Sequence, residues 1–143
     1  MYEHLNWANQ RILETLQSIE DENQEVGRLF SHILFAEKVW ITRLLGLDSS
    51  QLPIWSEVDI EVCADLIMQN ENSFTTLLTN LENKDLDKLI SYSNSKGKEF
   101  KSSMRDILIH VALHGQYHRG QINSRFRAGG IEPVDIDFIT FVR

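Results

Sequence analysis

Met104-Arg105-Asp106-Ile107-Leu108-Ile109-His110-Val111-Ala112-Leu113-His114-Gly115-Gln116-Tyr117-His118-Arg119-Gly120-Gln121-Ile122 decides the fold class. Met104, Ile107, Leu108, Val111, Gly115, Ile122 and Phe126 recur at the helical period and line one face. Ser102 or Ser103 can cap its start, and Gly129-Gly130 stops it. A helix this long cannot bury its apolar stripe alone, so the rest of the chain must supply partners.

Those partners are legible upstream. Leu5, Ala8, Ile12, Leu16 and Ile19 mark a first helix. The cluster Glu20-Asp21-Glu22-Asn23 breaks it, and an Asp or Asn there can cap a second helix. So short a link implies that the two helices are antiparallel neighbours. Val26, Leu29, Phe30, Ile33, Leu34, Trp40, Ile41, Leu44 and Leu45 form the apolar set of the second helix, which Gly46 ends. His32, Phe35, Ala36 and Val39 add a strip on its other flank, leaving a narrow polar sector at Gly27, Ser31, Lys38 and Thr42. Cys63, Leu66, Ile67, Phe74, Leu77, Leu78 and Leu81 give a third helix, capped by Asp59, with Asn70 as the polar exception on its inner face. Between them, Asp48 to Asp59 reads as a crossover or lid with Trp55 as a packing anchor. Leu89 to Phe100 lacks the helical period and suggests a short hairpin turning at Asn94 to Gly97. Ile131 to Arg143 should fold back over the helices. The expected fold is an all-α four-helix bundle with a short hairpin between helices three and four.

Composition limits the functions available. A chain of 143 residues fits a single domain, residues 1–143, with a real core. A net charge of −7 argues against a phosphate-binding surface, and so against nucleic acid as a partner. No apolar run approaches the ~20 residues that span a bilayer. Met1 to Asn9 does not resemble a signal peptide, and Cys63 alone cannot form an internal disulfide, so the expected compartment is the cytoplasm.

His114 and His118 stand four apart on the fourth helix, where i and i+4 share a face and two rings can converge on one ion. His32 on the second helix is the strongest candidate for a third ligand. Three imidazoles leave a coordination position open, as catalytic metal sites do, whereas closed structural sites take four ligands with several cysteines. Histidine pairs at this spacing also occur on helices that bind nothing, so spacing alone leaves both readings open. His110 drifts a further ~40° round the helix and reads as a rim group. Gln121 and Arg125 fall on the same side as the histidines and can contact substrate or support a ligand. Glu37 lies ~140° from His32, which favours a buried hydrogen-bonding role over ligation. Cys63 reads as a buried thiol, and His4, in the first turn, as an exposed side chain.

The chain resembles the DinB-like superfamily, which includes YfiT-type metal-dependent hydrolases and thiol S-transferases. The resemblance runs nearly end to end. It is carried by Leu5-Asn6-Trp7-Ala8-Asn9, by Ser31-His32-Ile33-Leu34 with Glu37 and Trp40, by His110 through Ile122, and by Pro133 with Asp137-Phe138. It implies up-down-down-up connectivity, a homodimer, and a divalent metal, nickel or zinc, held by His32, His114 and His118. Leu113 departs from the pattern, standing where many relatives carry an Asn, which bears on the surroundings of the adjacent ligand. The expected function is a metal-dependent enzyme on a small molecule. Thiol S-transfer with a low-molecular-weight thiol is favoured over hydrolysis by metal-activated water. The alternative is a non-catalytic metal- or ligand-binding stress-response protein.

Overall fold

The computed structural model describes residues 1–20 and 23–143. The chain is mostly helical with one small sheet. Helices α1 (Tyr2–Ser18), α2 (Gln24–Leu44) and α3 (Ile60–Thr79) precede a short 3-10 turn at Asn83–Asp87. Strands β1 (Leu89–Ser93) and β2 (Glu99–Ser103), helix α4 (Met104–Ala128) and a one-turn α5 (Phe138–Val142) follow.

The caps fall where short polar side chains can reach a free N–H. Asn23 Oδ1 accepts from Val26 N at 3.1 Å, Asp59 Oδ1 from Val62 N at 2.9 Å, and Ser103 Oγ from Asp106 N at 3.1 Å. Asp21, the other cap considered for α2, lies outside the described residues. Ser102 is taken instead by Tyr92, hydroxyl to hydroxyl at 2.9 Å. Gly46, at φ +74°, turns the chain after α2, and Leu45 lies exposed beyond the helix instead of on its apolar face. The hairpin turns at Asn94, whose Oδ1 accepts from Lys96 N and Lys98 N, both at 3.0 Å, with Gly97 at φ +78°. In the sheet, Tyr92 pairs with Phe100 and Ile90 with Ser102.

Helix α2 packs on both α3 and α4, and so does α1. The expectation that α1 and α2 are neighbours is therefore corrected, because the two apolar flanks of α2 are taken by α3 and α4. The apolar core falls into two clusters. One gathers Ile12, Phe30, Ile33, Ile67, Ile122 and Phe126, and the other Leu5, Ile41, Phe74, Met104, Leu108 and Val111. Between them each long helix inserts one buried polar side chain: Asn9, Glu37, Asn70 and Arg119. The readings of Glu37 and Asn70 as buried polar groups hold.

The tail folds back as expected. Asn123 clamps it, donating Nδ2 to Val134 O at 2.9 Å and accepting from Val134 N at 2.8 Å, and Ile136 is buried. His4 is corrected from exposed to buried. Its Nε2 lies 2.8 Å from Ile136 O, and its ring meets Trp7, Phe138 and Phe141. The side chain that starts α1 thus anchors the end of the chain.

Candidate metal centre

His32 comes from α2, and His114 and His118 from successive turns of α4. One ring nitrogen of each lies within 4.8 Å of the others. His32 Nε2 is 3.1 Å from His114 Nε2, and the ring centroids are separated by 4.9, 4.7 and 4.5 Å. His32 is buried and the other two are half-buried. Among the described residues, no cysteine or carboxylate joins the group.

The outer nitrogens fix which lone pairs point inward. His32 Nδ1 is 2.9 Å from the Ile54 carbonyl and must donate to it, leaving the Nε2 lone pair facing the cluster. His118 Nδ1 likewise donates to Gln121 Oε1 at 2.6 Å. This is the outer hydrogen bonding that sets the tautomer and direction of a ligating imidazole. Burial lowers the His32 pKa below its ordinary value, with His118 and Arg28 adding in the same direction. Burial first, then the neighbouring histidines and Arg119, bring His114 down to about 4. Both rings are therefore neutral at pH 7, the form that binds metal. The donor set, its spacing and its tautomers fit a divalent transition ion.

Trp55, the expected packing anchor of the 48–59 segment, packs on the histidine cluster and stays half-exposed. It is 50% exposed, stacks flat on His32 at 3.5 Å, and carries Arg28 5.0 Å from its own ring. The lid reading of the 48–59 segment thus places one ring over the cluster. His110 is exposed, 5.5 Å from the His114 ring and 5.3 Å from Trp40. Arg125 does not join the site, because its guanidinium pairs with Glu25 at 2.8 Å. Leu113 is 65% exposed, so it faces away from the His114 ligand atoms. Cys63 is buried, with its thiol pushed up by burial and Ser31 Oγ 3.9 Å away. Sequence reasoning missed the buried Arg119, whose signal is Gly115 one turn earlier: a Cβ there would lie 3.0 Å from Arg119 Nη1.

The rings of His114, His110, Trp40 and Tyr92 follow one another at 5.5, 5.3 and 5.0 Å. They lead from the cluster to a recess of about 290 Å³ lined by Trp40, Tyr92, Ser102, Asp106, Ile107 and His110. A larger cavity, about 700 Å³, opens beside Leu16, Phe30, Cys63 and Phe126 and contains none of the histidines. Size alone therefore does not locate the chemistry.

Gln121→Ala should weaken metal binding about 10- to 100-fold, because the His118 ring loses the acceptor that orients it. Competition against a chromophoric chelator measures this directly. Unchanged affinity would mean that Gln121 has no part in holding the ring.

A sequence model of the DinB family matches residues 1–143. Protein DinB of Bacillus subtilis (strain 168) is 28% identical, over 96% of this chain and 89% of that protein. The crystal structure of a DinB-like protein from Bacillus cereus ATCC 10987 superposes with a TM-score of 0.64 at 20% identity, covering 93% of this chain and 91% of the other.

Proposed function

The chain belongs to the DinB family, and from that premise we propose that it is a divalent-metal-binding protein whose His32, His114 and His118 serve a thiol S-transferase. The convergence of three imidazole nitrogens within 4.8 Å of one another carries this reading. An ion held there supplies a Lewis acid that lowers the pKa of a thiol or water beside it. Nickel and zinc suit an all-imidazole set best. His32, His114 and His118 each present one nitrogen, Ile54 O and Gln121 hold the His32 and His118 rings, and Trp55 covers the face of His32. The attacking sulfur belongs to the low-molecular-weight cosubstrate, because the chain's own thiol is buried outside the cluster. The ring-lined recess beyond His110 accommodates the body of the small molecule. Hydrolysis by activated water would use the same residues.

The architecture in this reading is a single four-helix domain, residues 1–143, with up-down-down-up connectivity. Its support is the pairing of side chains along the helices. Tyr2 meets Leu108 and Asn9 meets Arg119, so α1 and α4 run together. Ser31 meets Cys63 and Leu34 meets Asn70, so α2 and α3 run together, while Glu25 beside Arg125 and Trp40 beside His110 oppose α2 to α4. Exposed Ile109, Leu113 and Tyr117 fall four apart on α4 and favour a homodimer. Among the described residues, no helix is long and apolar enough to cross a membrane. A lone cysteine suits a reducing compartment, the cytoplasm.

Among the described residues no carboxylate joins the cluster, which favours a second reading, a non-catalytic metal-binding protein. Incubating the nickel- or zinc-loaded protein with a small thiol and a chromogenic electrophile separates the two. The enzyme reading expects metal-dependent thiol consumption that disappears in His32→Ala. It fails if His32→Ala loses the metal yet consumes thiol at the wild-type rate, and metal retention without any turnover would favour the second reading.

A further inference from the structure

We propose that Asn9, Glu37, Asn70 and Arg119 are positioning residues for the histidine cluster, fixing the rotation of α4 against α1 and α2 so that His114 and His118 converge on His32. Asn9 is the relay. Its Nδ2 donates to Glu37 Oε2 at 2.9 Å and its Oδ1 accepts from Arg119 Nη1 at 2.8 Å, so one amide on α1 ties α2 to α4, the two helices that carry the histidines. Asn70 Nδ2 adds a bond to the Leu34 carbonyl at 3.0 Å and a longer one to Glu37 Oε1 at 3.4 Å, bringing in α3. Arg119 is 1% exposed, and its Nη2 and Nε donate to Gln116 Oε1 at 3.2 and 3.4 Å.

This layer lies between the two apolar clusters, where side chains above and below it are held by contacts that are not directional. Apolar packing therefore tolerates small helix rotations that a metal site does not. Turning α4 by roughly 10° moves an atom ~6 Å from its axis by about 1 Å, against a tolerance of about 0.2 Å in metal–ligand distances. Arg119 directly follows His118 and points about 100° away from it, so its bond to α1 sets the direction of the His118 ring towards α2. Gly115 leaves the room that the guanidinium occupies. Buried ionic groups are frequently replaceable by apolar ones without loss of stability, so stability alone does not account for this layer.

The inference rests on the metal reading above, and its test keeps the two apart. The metal-free protein is titrated with Co(II), following the visible d–d bands and the dissociation constant, and its thermal unfolding is recorded. The apolar variant Asn9→Leu/Glu37→Leu/Asn70→Leu/Arg119→Met should unfold within a few degrees of wild type. It should nevertheless bind Co(II) at least 10-fold more weakly, with altered bands. A stable apolar variant with wild-type affinity and spectrum overturns the proposal while leaving the metal reading intact. No Co(II) binding by the wild type overturns both. If the apolar variant does not fold, Gly115→Ala decides: it keeps every polar group but crowds Arg119, and should weaken and perturb Co(II) binding, whereas a wild-type titration overturns the proposal.

Discussion

His118→Ala is expected to raise the dissociation constant for zinc or nickel by roughly a thousandfold. Zinc sites bind with about 10–16 kcal/mol, and one of three protein ligands carries on the order of a third of that. His32→Ala and His114→Ala should behave alike, because the three nitrogens converge on one point. His110→Ala is the internal control, since its ring stands beside the cluster and outside it. A loss in His110→Ala equal to that in His118→Ala would require a different ligand set. The same geometry predicts a pH dependence in the metal-free protein. His114 is held at about 4 in the folded state against an ordinary 6.5. Stability linked to its neutral ring is present above 6.5 and lost as the pH falls from 6.5 through about 4. His114→Ala should flatten that limb of the stability profile, and an unchanged limb would remove His114 as its source.

Glu37→Leu carries the largest expected stability effect. Burial pushes this carboxyl up to about 7, while the Asn9 amide, the Arg119 charge and the Asn70 amide pull it down. Replacing it alone removes the acceptor for Asn9 and leaves the Arg119 guanidinium, itself lowered to about 10 by burial, without its opposing charge. Breaking one side of a buried charged set costs about 3–5 kcal/mol, which for a chain of this size corresponds to a Tm lower by roughly 10 °C. The wild type should also lose stability as pH rises from 4.5 through about 7, because a folded carboxyl pKa above its unfolded value favours the protonated form. Chemical denaturation across that window, in wild type and variant, measures both effects. A Glu37→Leu protein as stable as wild type would show that the carboxylate does not hold the layer together.

The parts of this fold legible in the sequence are those set by short-range periodicity. The four long helices follow from apolar spacing, their caps from Asn23, Asp59 and Ser103, and the hairpin from Asn94 and Gly97. The two α4 histidines were legible because four residues is about one helical turn, and His32 because it sits on the inward flank of α2. Long-range partners were not. His4 looked exposed because the carbonyl that buries it belongs to Ile136, far along the chain. Trp55 sits in a loop, where no period says which face it covers. Arg125 shares the angular side of His118 but lies seven residues on, about 10 Å along the helix axis, where it meets Glu25 at the start of α2. The link between α1 and α2 told their connection but not which helices they pack against. The polar layer was hidden for a related reason: its members lie on four different helices, and only packing reveals that they meet.

Elemental analysis of protein purified without a histidine tag, beside His114→Ala prepared identically, tests the central claim most directly. The three-histidine reading predicts close to one equivalent of nickel, zinc or another divalent transition metal per chain in the wild type and its loss in the variant. Absence of bound metal in the wild type, even after reconstitution with each of these ions, would contradict it and return the histidines to a structural role.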